Sequence, residues 1–293
     1  MPQQRRFKQI DVFTRQSFKG NPLAVVLDTD GMADEQMQDF ARWTNLSETT
    51  FVVPPTNPLA DYGVRIFTPD LELPFAGHPT LGTAHALLES GFQTKSPGQI
   101  IQQSGIGLVP ININDDGLLA FHVPQARVDP FDTTLYPLLE RTLGSARTDK
   151  RHSPATVRMG INWLMVRMDS ADTCLNITPD AQSLADLQAA CKADGIAIYG
   201  PHDNASPTDY EMRTFYIEQG YIKEDPVTGS ANACLACILR QQRGADDITA
   251  QLDYSVRQGT RLRRDGRISV VYLNDEPWVG GHSVTIIDGA MLV

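Results

Sequence analysis

Little in this sequence offers disulfide, metal or membrane chemistry. Its 293 residues include four cysteines, Cys174, Cys191, Cys234 and Cys237, too few and too unevenly placed for a disulfide framework. Cys234-x-x-Cys237 falls inside an expected helix and not at its start, where a redox pair would gain a lowered pKa. Both are therefore expected to be small buried helix residues. The six histidines, at 78, 85, 122, 152, 202 and 282, show no ligand spacing, so no metal site is expected. No apolar run approaches the length of a membrane span, Leu23 to Leu27 being typical. With no hydrophobic segment after the basic start Met1 to Lys8, a cytoplasmic location is the default expectation. Positive charge is scarce too, with 25 Lys and Arg against 35 Asp and Glu, a net charge of −10. That balance disfavours nucleic acid and anionic membranes as partners, and an anionic substrate would have to be held by a local field. Two catalytic signatures are also missing. Gly105-Ile106-Gly107 lacks the third glycine of a dinucleotide loop and opens a strand, not a helix. Thr228-Gly229-Ser230-Ala231-Asn232 is no Gly-x-Ser-x-Gly elbow.

What is present is an ordinary soluble composition, 41% hydrophobic and 20% charged, enough for one large domain or two of common size. One phrase occurs twice. Gly77-His78-Pro79-Thr80-Leu81-Gly82-Thr83-Ala84 and Glu224-Asp225-Pro226-Val227-Thr228-Gly229-Ser230-Ala231 each run from a polar residue through Pro to Gly, a hydroxyl residue and Ala. Apolar residues at helical spacing follow: Leu81, Ala84 and Leu88 in one, Ala231, Leu235 and Ile238 in the other. Proline suits the first helical turn, so both phrases read as loops opening into helix N-termini. Such ends carry free N–H groups and positive partial charge, which favour an anion. His78 and Asp225 are 147 residues apart, about half the chain, and Arg65-Ile66-Phe67 is echoed by Arg213-Thr214-Phe215. The pattern implies an internal duplication into two domains of like fold.

Along the chain, strands are expected at 7–13, 23–27, 62–67, 106–113 and 118–123, the last two joined at Asp115-Asp116-Gly117. A helix is expected over Asp34 to Trp43. The proline-rich, charged stretch from Pro124 to Arg158 places a junction near 128, giving domains 1–128 and 129–293, with the last strand free to return to the first. Beyond it, strands are expected at 163–168, 195–199, 213–217, 268–273 and 284–287, and a helix over 181–193. Glu48 stands at the entrance of the strand 49–53, either as a satisfied turn residue or as a site carboxylate with a raised pKa.

The groups near the two phrases that can move protons are Glu48, His78 and Asp225, with Thr83, Thr228 and Ser230 as hydroxyl donors. A sheltered carboxylate beside an imidazole can take a proton from carbon and return it elsewhere, while helix N–H groups stabilise the charge that develops. No cofactor is required. Two other readings use the same residues: a Ser230-His78-Asp225 hydrolase, and a non-catalytic protein that binds a small acid.

Asp11-Val12-Phe13, Gly20-Asn21-Pro22-Leu23-Ala24-Val25-Val26, Asn45-Leu46-Ser47-Glu48-Thr49, Arg65-Ile66-Phe67-Thr68-Pro69 and Leu73 to Thr80 form a long ordered series. Together with Glu224 to Ala231, Gln258-Gly259 and Val279-Gly280-Gly281, they resemble the phenazine-biosynthesis isomerase (PhzF-like) family, within the diaminopimelate epimerase superfamily. The resemblance implies an α+β fold of two pseudo-symmetric domains, each a β-barrel-like sheet around a central α-helix, with an active site in the cleft between them. It also implies cofactor-free isomerisation of a small anionic substrate, and commonly a homodimer. Carried over, the catalytic residues are Glu48, the acid/base, with His78 and Asp225, which hold and polarise the substrate and assist transfer, while Gly77, Gly229 and Ser230 supply anion-binding donors. The epimerase relatives use one cysteine from each domain. Neither phrase here contains one, which argues against a two-thiol racemase. After Gln258-Gly259 a Gly-Arg-Pro-Ser-like loop is expected, and this chain has Arg263-Arg264-Asp265-Gly266 instead.

Overall fold

A computed structural model describes residues 3–144, 147–242 and 253–293. The chain divides into two compact units, Met1–His122 with Trp278–Val293, and Val123–Pro277.

The first unit is built from β1 (Gln4–Val12), β2 (Asn21–Val26), α1 (Asp34–Thr44), β3 (Glu48–Val53), β4 (Tyr62–Phe67), β5 (Glu72–Leu73), α2 (Gly77–Glu89), β6 (Gln99–Ser104), β7 (Gly107–Ile113) and β8 (Leu119–His122). The second contains β9 (Arg127–Pro130), α3 (Tyr136–Leu143), β10 (Ala155–Met159), β11 (Ile161–Arg167), α4 (Ala171–Asn176), α5 (Ala181–Cys191), β12 (Gly195–Pro201), β13 (Tyr210–Glu218), β14 (Tyr221–Asp225), α6 (Gly229–Gln242), β15 (Tyr254–Gln258) and β16 (Gly266–Leu273). β17 (Glu276–Gly281) then leads back to the first unit, where β18 (Ser283–Leu292) lies antiparallel to β1 along its whole length.

These boundaries differ from the expected 1–128 and 129–293. The junction precedes residue 128 because Arg127–Pro130 is already a strand, paired to β10. The second unit is thus inserted into the first, and its two ends meet: Val123 donates its backbone N–H to the Pro277 carbonyl at 3.0 Å.

Both units repeat one pairing scheme. β2 runs parallel to β3, β3 antiparallel to β4, and β4 parallel to β6. In the same way β11 runs parallel to β12, β12 antiparallel to β13, and β13 parallel to β15. The echoed arginines carry the same load in each. Arg65 makes a two-pronged bond to Glu72 and lies 5.0 Å from the Phe67 ring centroid. Arg213 does the same with Glu224 and lies 4.7 Å from Phe215. Each bidentate pair ties a strand to the short strand that follows it.

α2 and α6 are the central helices. From Gly77 to Ala84 and from Gly229 to Ala236 every residue of each is buried. A helix apolar on all sides has no solvent face and must be surrounded, and α2 packs against β1, β2, β3, β6, β8 and β18. α1, by contrast, buries only one stripe, Met37 and Ala41, over Phe51 and Phe67.

The register corrects the alignment read from the repeated phrase. Phe67 stands opposite Glu72, and Phe215 opposite Glu224. Leu73, not His78, is therefore the counterpart of Asp225. The helices begin at Gly77 and Gly229, so the counterpart of His78 is Ser230. The proline in each phrase misled because its setting differs: Pro79 is the third residue of α2, whereas Pro226 lies before α6 starts. On the neighbouring strands Leu23 pairs with Glu48, and Trp163 with Gly195. The place that Glu48 holds in the first unit is a glycine in the second.

Candidate active site

Glu48 is the first residue of β3 and His78 the second residue of α2. The fold of the first unit brings His78 Nε2 to 3.4 Å from Glu48 Oε2. Both groups are sheltered, with side-chain exposures of 5% and 13%. Burial draws the His78 pKa down from 6.5 to about 3, because an imidazolium there would lose its hydration. At neutral pH the pair is a neutral imidazole beside a carboxyl group, not an ion pair.

Asn21, at the start of β2, sets the orientation of the ring. Its Nδ2 lies 3.4 Å from His78 Nδ1, and an amide nitrogen only donates, so Nδ1 is the unprotonated acceptor. The ring proton is then on Nε2, which lies 3.4 Å from Glu48 Oε2 without making a hydrogen bond to it. Asn21 is itself held by the preceding turn, where Asp11 Oδ2 accepts the backbone N–H groups of Lys19 and Gly20. This role for Asn21 was not read from the sequence, although it sits in the Gly20-Asn21-Pro22 motif. A buried asparagine opening a strand was the available signal.

The start of α2 is bare of the usual neutralising groups. Its N-cap is Ala76, without a side-chain cap, and no acidic residue occupies the first turn. α4 and α5, in contrast, are capped by Ser170 and Asp180. Gly77 and His78 therefore stand at an unneutralised positive end. Behind them, Gln102 Nε2 donates to Thr80 Oγ1 and accepts through Oε1 from the Tyr62 hydroxyl, both at 2.9 Å. Thr83, expected among the site donors, spends its proton on Thr50 Oγ1 at 2.8 Å and is wholly buried. It is a brace between helix and strand.

In the second unit Asp225 ends β14, and Gly229 and Ser230 open α6, which also lacks an acidic residue in its first turn. Thr228 Oγ1 donates to Asp225 Oδ2. Ser230 Oγ accepts from the indole Nε1 of Trp163 at 2.9 Å. That leaves the hydroxyl proton of Ser230 available to donate, and its partner is an N–H that cannot serve as a base. The hydrolase reading loses the activated serine it requires.

The Trp163 ring fills the space above Gly195, where a Cβ would lie 2.4 Å from its Cζ3 and 2.8 Å from the Phe215 carbonyl oxygen. Gly195→Ala is expected to cost about 1–3 kcal/mol through overpacking, read as a lowered midpoint in urea unfolding followed by Trp163 fluorescence.

The loop that departs from the family pattern has a visible backbone consequence. Arg263 adopts φ 59°, left-handed geometry at the position where the pattern expects glycine. The substitution is accommodated, since Arg264 N still closes onto the Gly259 carbonyl at 2.9 Å. Among the described residues no group of three or more metal-ligating side chains converges, and no helix is long and apolar enough to cross a membrane.

The sequence model of the phenazine biosynthesis-like protein family (PhzC-PhzF) matches residues 10–289. Antisense-enhancing sequence 1 of Schizosaccharomyces pombe is 35% identical, over 98% of each chain. An uncharacterized isomerase of Mesorhizobium japonicum is 32% identical over 99% of this chain and 100% of its own. The trans-2,3-dihydro-3-hydroxyanthranilate isomerase of Pseudomonas aeruginosa is 32% identical over 90% of this chain and 88% of its own. Among solved structures, a PhzF-family protein of Bacillus anthracis superposes with a TM-score of 0.84 at 23% identity, covering 99% of this chain and 100% of that one. A hydroxyproline epimerase of Agrobacterium vitis shares the fold at a TM-score of 0.60 and 12% identity, covering 99% and 93%. The chain belongs to the phenazine biosynthesis-like (PhzF) family and is an isomerase.

Proposed function

We propose that this isomerase moves a proton within a small carboxylate-bearing substrate by general acid/base catalysis, without a cofactor, and that Glu48 carries the proton. The observation that supports this most is the sheltered contact of Glu48 with the Nε2 face of a neutral His78. A carboxylate so placed can accept a proton from carbon and return it to another atom of the same molecule. The His78 N–H steadies whichever partner bears negative charge at each stage, and because the imidazole is neutral it does not hold Glu48 in a permanent ion pair.

The duplication supports a single carrier. A two-base racemase needs an acid/base from each half, yet the register counterparts of Glu48 and His78 are Gly195 and Ser230. Asp225, the hydroxyl of Ser230 and the N–H of Gly229 enter the proposal as substrate-holding groups. In the first unit Gly77 plays the same part. A cytoplasmic homodimer is the working form in this reading.

The Pseudomonas aeruginosa relative, a trans-2,3-dihydro-3-hydroxyanthranilate isomerase, makes that compound the first substrate to test, followed by cyclic and amino acids. In heavy water the enzyme is expected to isomerise one of them and to place deuterium on carbon, read by mass spectrometry. A protein that only binds small acids would saturate with ligand and leave it unlabelled, and that result would replace the isomerisation proposed here.

A further inference from the structure

We infer that Gln258 is a positioning residue that acts on Asp225 through Thr228. The inference rests on the reading of Asp225 as a substrate-holding group and adds the device that keeps it in place.

Gln258 ends β15 and is wholly buried. Its Oε1 accepts the backbone N–H of Thr228 at 3.0 Å and the side-chain amide of Asn232 at 3.2 Å. Its Nε2 donates to Thr228 Oγ1 at 2.9 Å and reaches Thr214 Oγ1 and the Asp225 carbonyl, each at 3.2 Å. One carboxamide thus binds the last residue before α6, the helix's first turn and the backbone of Asp225.

Chemistry fixes the direction of the bonds. An amide nitrogen only donates and a carboxylate only accepts, while Thr228 owns one hydroxyl proton. Thr228 Oγ1 accepts from Gln258 Nε2, so its proton goes to Asp225 Oδ2. Thr214, 2.7 Å from Thr228 Oγ1, must then be the donor in that contact. The two hydroxyl protons each have one place, while the two N–H protons of Gln258 are shared among three acceptors, Thr228 Oγ1, Thr214 Oγ1 and the Asp225 carbonyl. The network restrains the Asp225 carboxylate through Thr228.

The turn is also clamped sterically. A Cβ on Gly259 would lie 2.7 Å from the Pro226 carbonyl, and one on Gly266, opposite Gln258 in the sheet, 2.3 Å from Val227 Cγ2. The strand ends beside Gln258 press directly on the Pro226-Val227 turn.

The test uses Thr228→Val, Thr228→Ser and Gln258→Glu in the full chain, each alone and combined with Asp225→Asn. Turnover is read by deuterium incorporation, and folding by thermal unfolding. Gln258→Glu keeps the acceptor for Thr228 N and removes the donor to Thr228 Oγ1. Thr228→Val deletes one hydroxyl at constant shape. Each is expected to lower kcat/KM about tenfold or more, the scale of a lost hydrogen bond to a charged group, in protein that still unfolds cooperatively above the assay temperature. Thr228→Ser should retain nearly full turnover. In the Asp225→Asn background Thr228→Val and Gln258→Glu should cause no further loss. Full turnover in Thr228→Val, or losses that multiply with that of Asp225→Asn, would overturn the inference. So would an Asp225→Asn protein with full turnover. That last result would leave the proton-carrying role of Glu48 intact, whereas retained turnover in Glu48→Gln would remove the acid/base reading and leave the Gln258 coupling to be judged by its own cycle.

Discussion

Glu48→Gln is expected to keep the fold and bind the substrate while losing turnover by about 10²-fold or more, the contribution of a positioned acid/base group. The substitution conserves volume and leaves an amide that can still face His78 Nε2 through its oxygen. What it removes is the capacity to accept and return a proton. The repeat supplies no counterpart of Glu48, since the corresponding strand position of the other unit is Gly195. The measurement is deuterium incorporation under saturating substrate, with a binding isotherm on the same preparation. Turnover within about threefold of the parent enzyme would remove Glu48 from the reaction.

A second large effect is expected in acid. In the folded protein the His78 pKa is about 3, against 6.5 for the unfolded chain. Between those values the unfolded state binds a proton that the folded state refuses, so stability falls as pH is lowered from about 6.5 to about 3. Above that window the residue contributes no pH dependence, and below it the penalty is complete. A shift of this size corresponds to a loss on the order of 5 kcal/mol. Lowered carboxylates, Asp149 among them, add their own acid sensitivity, so the comparison is with His78→Gln, which cannot titrate. Urea-unfolding free energies of the two proteins should converge toward acid pH. Parallel curves across the window would mean that His78 titrates alike folded and unfolded.

Much of the architecture was legible because the local signals were strong. Tyr62–Phe67 is a strand with the expected ends, and α1 begins at Asp34 as its acidic first turn implies. The two buried helices announced themselves by the phrases that precede them. The detailed alignment of the halves was not legible, because the phrase matches residue types while the sheet matches registers. Proline and glycine recur for different local reasons in the two loops, and only the pairing of Phe67 with Glu72 and of Phe215 with Glu224 shows which residues truly correspond. The same limit hid Gln258 and Asn21. A glutamine at the end of a short strand carries no periodic signal, and its five contacts come from residues 26 to 44 positions away in sequence. Thr83 was misread in the opposite sense. Its place near a conspicuous motif suggested a role in chemistry, and helix geometry turned it inward to Thr50.

The bond between Val123 and Pro277 also bears on how such a chain could be rearranged. A module whose entry and exit points are neighbours can be cut out, given new ends or exchanged for another without stretching its host, because the gap left behind needs only a tight turn. Residues 123–277 satisfy that condition. A present-day copy with its old termini joined and fresh ones opened at an exposed loop tip would ask the strands to do nothing they do not already do.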